Sequence, residues 1–332
     1  MDISKIKVDL GDDWRNFEKL LSDTVSSDIQ YLNTINNYLL EHLGKQLRPI
    51  LSLLTAKCCG DVNTKTLSCA VTSEMIHSAS LLHDDVVDHS DYRRGVATVH
   101  KLFSPGASVL MGDFWLSRAM LLLVHNDVEY PILKCITKSI EDLAKGELFQ
   151  MEKADNLTTT QEDYIYIVSM KTASLFVSAA KSAVMTVTPS EKMIQSVESF
   201  AYNLGIAFQV KDDLFDYSPD LNLGKPCGID IKERKLTLPL LKAIERAKKE
   251  GVQQEADILM SKIVEIGQKN CDVDAVSKDT LEFVRKYNGL EAAEKVMNDY
   301  IDSAIAEIKT LPDSQWREHL INIALFIGAR QN

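Results

Sequence analysis

The sequence predicts an all-α protein, a single large helical bundle over residues 1–332, and three observations carry that prediction. The chain has only 14 glycines and 8 prolines in 332 residues, well below the roughly 12% of an average protein, whereas sandwiches and barrels are dense in turns. Apolar residues recur in long segments that read as helices, and recognisable start signals precede two of them. No internal repeat and no low-complexity stretch separates one half from the other, so one domain is expected.

Composition narrows the function. With 45% apolar and 26% charged residues, the chain has enough apolar surface to offset the entropy of folding and is not a disordered protein. Against 37 Lys and Arg stand 48 Asp and Glu, a net charge of −11. That sign opposes a nucleic-acid partner, and an anionic substrate would need local cations or a metal. The longest apolar run, near Ala119 to Val124, is far short of the ~20 residues that cross a bilayer. Met1-Asp2-Ile3-Ser4 has no basic-then-apolar signal pattern, so a cytoplasmic location is expected. Cys58, Cys59, Cys69, Cys135, Cys227 and Cys271 show neither CxxC nor paired zinc spacing and read as reduced thiols.

Taken in order, Ala56 to Asp88 and Ala107 to Met151 are long, mostly apolar helical segments broken near Gly60 and Gly95. They are apolar around much of their circumference, which suits the centre of a bundle. Thr160, with Asp163 three residues on, starts a helix running through Lys171 to about Val187. Thr188-Pro189-Ser190-Glu191 offers an N-cap, a proline at the first helical position and a capping carboxylate for a helix towards Tyr217. Ser218 to Lys235, rich in Gly, Pro, Asn and Asp, reads as a long loop, either a functional lid or a solvated connector. Residues 240–332 alternate charged and apolar residues in shorter helices and read as scaffold.

Two aspartate clusters carry the chemistry. Asp84-Asp85-Val86-Val87-Asp88 and Asp212-Asp213-Leu214-Phe215-Asp216 are both DDxxD, each closing an apolar helical run. Residues i and i+4 of a helix lie about 40° apart around its axis, so Asp84 shares a face with Asp88 and Asp212 with Asp216. Like charges so placed repel, and their duplication beside apolar runs calls for a cation. Open oxygen donors suit Mg²⁺ bridging to phosphate oxygens better than Zn²⁺ or a dedicated Ca²⁺ cage. One DDxxD alone would read as a solvated helix end; two in one helical chain do not.

Cations lie close by. Arg93 and Arg94 follow Asp88, and arginine forks pair with phosphate oxygens bidentately. Gly44-Lys45-Gln46-Leu47-Arg48-Pro49 adds Lys45 and Arg48 without P-loop spacing. His77 and His83 lie on the segment leading into Asp84, and Lys171, Thr172, Gln209 and Lys225 complete a set of donors for a diphosphate. Each alone is unremarkable.

Together these pieces resemble the trans-isoprenyl diphosphate synthases, and among them the bacterial octaprenyl-like polyprenyl synthases. GKQLRP (44–49), EMIHSASLLHDDVVDHSDYRRG (74–95), GELFQ (146–150), KT (171–172), GIAFQVKDDLFDY (205–217), GKPCGID (224–230) and KLTLP (235–239) occur in the family's order across residues 44–239. The resemblance implies a helical bundle of the isoprenoid synthase type with a central cavity, usually a homodimer. It implies condensation of isopentenyl diphosphate with an allylic diphosphate such as farnesyl diphosphate. Three Mg²⁺ ions are implied, two on Asp84 and Asp88 and the third on Asp212, with Asp85 and Asp216 in support and Asp213 in the same catalytic set. Arg93, Lys171, Thr172, Gln209 and Lys225 would grip the allylic diphosphate, and Lys45, Arg48, His77 and Arg94 that of isopentenyl diphosphate; Lys235 is a further substrate-binding candidate. No side-chain nucleophile is needed, and closure of the 224–235 loop would exclude water. One departure is Arg234, where the family commonly has glycine.

Ala79 and Ser80, about one and a half turns before Asp84, are small where short-chain members of the family tend to carry aromatics. An open tunnel and a product of C30 or longer follow, with the floor on a neighbouring helix such as 130–148. So long a prenyl chain implies transient membrane contact at release. The rivals are a C15 to C20 synthase, a class I terpene cyclase, an HD-type phosphohydrolase built on His83-Asp84, and a non-catalytic partner subunit. The last three leave the second intact DDxxD or the arginine pair unexplained.

Overall fold

The computed structural model describes residues 3–217, 228–268 and 271–330, and most of them are helical. The strands among them are two residues each, Tyr92–Arg93 antiparallel to Val96–Ala97. The all-α expectation holds. Chain contacts divide the protein into two compact units, Met1–Ile140 with Leu175–Ser199 and Glu307–Ile321, and Glu141–Ser174 with Phe200–Ala306 and Asn322–Asn332.

In the first unit, the helices Leu47–Cys59, Thr64–Val87 and Pro105–His125 form the core. Gly60 ends the first, and Asn63 restarts the chain through a capping box with Thr66. Ala79 and Ala119 are fully buried, and small side chains at such positions bring helices close. Hydroxyls complete the packing: Ser108 donates to the Leu82 carbonyl at 2.8 Å, and Ser52 to that of Ala179 at 2.8 Å. Trp115, wholly buried, donates its indole N–H to Asn36 at 2.9 Å.

The Pro105–His125 helix corrects one expectation. No uninterrupted run is long enough, yet the helix has the length and mean hydropathy (1.5) to cross a membrane, with 33% of that window buried. Its Arg118 donates to the Thr24 carbonyl at 2.6 Å and its Trp115 lies in the core, so one face is built for packing against protein. Leu110, Leu121 and Val124, on another face, are exposed.

In the second unit, Phe200, Leu204, Ile206 and Val210 are the buried face of the Glu191–Asp216 helix, accompanied by Leu240, Val284, Ala293 and Ile323. Thr160 and Asp163 form the expected capping box. The helix they start is α only to Val168, passes through a π turn at Ser169–Ala173 and resumes to Met185. The start near Thr188 also shifts: Ser190 precedes the helix, its carbonyl accepting from Ile194 N–H at 3.0 Å. Thr188 uses its hydroxyl to accept from Ser190 N–H at 3.2 Å, which leaves Pro189 in the turn. Within the expected loop, Ile229–Lys232 is a short helix, and residues 218–227 lie outside the described residues. The described cysteines are free, and burial pushes the Cys58 and Cys69 thiols up to about 12.

Candidate functional site

Both aspartate clusters stand at the C-terminal ends of helices, Thr64–Val87 and Glu191–Asp216. Backbone carbonyls give such an end a partial negative charge. Three carboxylates added there concentrate negative potential, and a cation relieves it.

In the first cluster the three carboxylates divide their roles. Asp85 is 4% exposed and accepts from Arg93 Nε at 2.7 Å. Asp84 is half-buried and Asp88, the helix C-cap, is exposed. The short hairpin supplies Arg93, and its turn places Arg94 and Gly95 at φ 53 and 80, the left-handed pair that a tight hairpin requires. Arg94 then donates to the Leu43 carbonyl at 2.7 Å, so the two arginines serve different places.

Behind Arg94 lies a buried polar cluster. Glu74 is 1% exposed, and one of its carboxylate oxygens has no hydrogen-bond partner among the described residues. Burial pushes its carboxyl up to about 7, opposed by the charges of Arg48, Arg94 and Lys7. Lys7, on the Ile3–Leu10 helix, donates to Gln46 at 2.7 Å, inside the GKQLRP segment. Arg48 lies over the Phe176 ring at 5.0 Å, and Lys45 is exposed. Burial, then Arg48, Arg94 and Arg93, holds His77 neutral, far below its ordinary value. Ser80 lies one turn before Asp84, on the face that Asp84 and Asp88 share, and donates to the His77 carbonyl at 2.9 Å. Ala79 is fully buried.

The second cluster is tied down by neutral donors. Thr172 donates to Gln209 at 2.7 Å, Gln209 donates to Asp213 at 2.9 Å, and the Tyr164 hydroxyl donates to Asp213 at 2.5 Å. Burial raises the Asp213 carboxyl to about 7; Tyr164 and Gln209 oppose the shift and the charges of Asp212 and Asp216 add to it. Asp216 accepts backbone N–H bonds from Ile229 and Asp230, both at 3.0 Å. Asp212 pairs with Arg330. Lys171 sits in the π turn and engages Glu147 and Gln150. The turn fits because its neighbours are glycines: a Cβ on Gly146 would meet Lys171 Cγ at 2.8 Å, and one on Gly205 would meet Ala173 Cα at 2.5 Å. Lys235 pairs with Glu233 at 2.6 Å. Lys225 lies outside the described residues.

Among the described residues no three His, Cys, Asp or Glu side chains converge on a ready-made metal cage. Paired carboxylates at a negative helix end instead fit a hard divalent cation that completes its shell with water and phosphate oxygens, the habit of Mg²⁺. Sequence reasoning missed Glu74, Tyr164, Lys7 and Arg330. Tyr164 follows the Thr160–Asp163 cap directly and Glu74 opens a recognised segment, but nothing marked Lys7 or Arg330.

The polyprenyl synthetase family model matches residues 29–276. The octaprenyl diphosphate synthase of Escherichia coli (strain K12) is 33% identical over 327 residues, 98% of this chain and 98% of that protein. The crystal structure of a decaprenyl diphosphate synthase from Rhodobacter capsulatus is similar with a TM-score of 0.88 and 30% identity, covering 100% of both chains. A polyprenyl synthase from Caulobacter crescentus CB15, complexed with calcium and isoprenyl diphosphate, is similar with a TM-score of 0.89 and 31% identity, covering 100% of this chain and 98% of that one.

Proposed function

The chain belongs to the polyprenyl synthetase family, and from that premise we propose that it is a long-chain all-trans polyprenyl diphosphate synthase. It condenses an allylic diphosphate with successive isopentenyl diphosphate units to a product of C30 or longer. The observation that carries the reading is the repeated arrangement of two DDxxD motifs at negative helix ends, each with its middle aspartate buried and its outer pair on one shared helix face. Kinship with octaprenyl and decaprenyl diphosphate synthases supports the long product, as do the small side chains of Ala79 and Ser80. Calcium and isoprenyl diphosphate in the Caulobacter crescentus protein support use of a divalent cation.

Bound divalent cations, three Mg²⁺ in this reading, supply the charge that lets the allylic C–O bond ionise with diphosphate as leaving group. Asp84, Asp88 and Asp212 would hold them. Asp85 fixes Arg93, and Thr172 and Gln209 fix Asp213, so the outer carboxylates are presented from rigid helix ends. Arg93 and Lys171 grip the allylic diphosphate. Arg48, Arg94 and Lys45 cradle that of isopentenyl diphosphate, and neutral His77 adds a hydrogen bond without adding charge. The double bond of isopentenyl diphosphate attacks the allylic carbon, and the proton then lost goes to the released diphosphate. Water would capture the cation, so the chemistry requires that it be kept out.

The assembly in this reading is a cytoplasmic homodimer. The exposed stripe of Leu110, Leu121 and Val124 supports a protein-covered face, and sedimentation velocity tests it. The reaction itself is tested by incubating the chain with farnesyl diphosphate, labelled isopentenyl diphosphate and Mg²⁺ and sizing the dephosphorylated products. A ladder ending at C30 or beyond, absent with chelator, is expected; a stop at C20 would make this a short-chain synthase.

A further inference from the structure

The last described residue of the chain lies against the second aspartate cluster. Arg330 follows the Gln315–Ala329 helix, and its side chain is 9% exposed. It reaches across the end of the Glu191–Asp216 helix, donating to the Phe208 carbonyl at 3.1 Å and pairing with Asp212. Its guanidinium stands 4.3 Å from the Phe208 ring and 5.3 Å from the Phe215 ring. Phe208, Asp212 and Phe215 share one helix face at i, i+4 and i+7. Two rings, a carbonyl and a carboxylate therefore fix one cation at the negative end of a helix, and burial keeps water from screening it.

We propose that Arg330 is a built-in counter-cation for Asp212, a positioning residue that occupies this carboxylate until a divalent cation displaces it, so that the residue following the Gln315–Ala329 helix sets metal affinity at the second cluster. The proposal rests on the reading of Asp212 as a metal ligand. An arginine and a divalent cation at one carboxylate repel each other. By linkage, whatever Arg330 takes from metal affinity the metal takes from the docking of the last helix.

The test uses the full-length, metal-stripped chain without substrate, with Asp84→Asn and Asp88→Asn present in every variant to silence the first cluster. Mn²⁺ binding is followed by electron paramagnetic resonance. Arg330→Gln is expected to tighten Mn²⁺ about tenfold, Arg330→Lys to stay near the parent, and Arg330→Met, which keeps an apolar side chain between the two rings, to match Arg330→Gln. In the parent, Mn²⁺ is expected to speed hydrogen exchange over residues 315–330. Unchanged or weaker binding in both neutral variants, or no change in exchange, overturns the proposal. Metal-dependent synthesis by the unmutated chain is measured separately, so the functional reading stands or falls independently.

Discussion

The two aspartate clusters share a motif and a place at a helix end, and the protein treats them in opposite ways. In the first, the middle carboxylate, Asp85, is buried against a cation, Arg93. In the second, the middle carboxylate, Asp213, is buried against two neutral donors, Tyr164 and Gln209, and its carboxyl is raised to about 7. Burial among neutral groups favours the acid over the carboxylate, as at Asp213. The outer positions differ too: Asp88 is exposed, while Asp216 accepts two backbone N–H bonds and Asp212 pairs with Arg330. One motif therefore has its last carboxylate exposed at one helix end and held by backbone N–H groups at the other.

The largest effects should come from the outer aspartates. Asp84→Asn and Asp212→Asn are each expected to lower kcat by about 10²–10³-fold, and chelation should abolish turnover until Mg²⁺ is restored. Steady-state kinetics across a Mg²⁺ series checks this; if Asp212→Asn alone keeps normal turnover, the second cluster is not catalytic.

Next come the middle aspartates, where the comparison can be broken. Asp85→Asn leaves Arg93 without its carboxylate and should cost about 1–2 kcal/mol, a modest figure because Arg93 keeps 35% of its side-chain exposure. Asp213→Asn exchanges one group among neutral donors for another and should cost under about 1 kcal/mol near pH 6. Urea unfolding of both variants measures the difference, and equal losses would erase the contrast.

Glu74 sharpens the contrast from inside the first unit, since it is a buried acid among cations whose value still rises, from 4.5 to about 7. A raised acid contributes stability that is complete below pH 4.5 and is lost as pH rises through 7. The whole window amounts to about 3 kcal/mol. Glu74→Gln should remove this slope between pH 4.5 and 7; a wild-type profile that is already flat there would show that Arg48, Arg94 and Lys7 keep Glu74 ionised.

The smallest change in turnover is expected on the helix before Asp84. Ser80→Phe, on the Asp84 face, should shorten the product with little loss of isopentenyl diphosphate incorporation. Ala79→Phe enters a fully buried position and should chiefly destabilise the fold by overpacking. Product chromatography and thermal melts of the two variants separate these outcomes.

Local pattern by itself determined the all-helical class, the two DDxxD faces, the Thr160–Asp163 cap and the break at Gly60, because spacing around a helix and capping chemistry act within a few residues. It missed the break at residues 126–129, where the expected Ala107 to Met151 segment divides into the helices Pro105–His125 and Tyr130–Asn156. The ordered motifs named Arg93, Lys171 and Gln209, which the structure sets against Asp85, Glu147 and Asp213. Only the tertiary structure decided what each aspartate meets. That Asp213 accepts from Tyr164, that Asp212 meets an arginine 118 positions later, and that Glu74 feels the charge of Lys7 follow from packing between segments distant in sequence. The π turn at Ser169–Ala173 belongs with them, since it fits only where Gly146 and Gly205 let neighbouring helices approach. Burial sets whether a carboxyl is charged, and burial is a property of the packed chain.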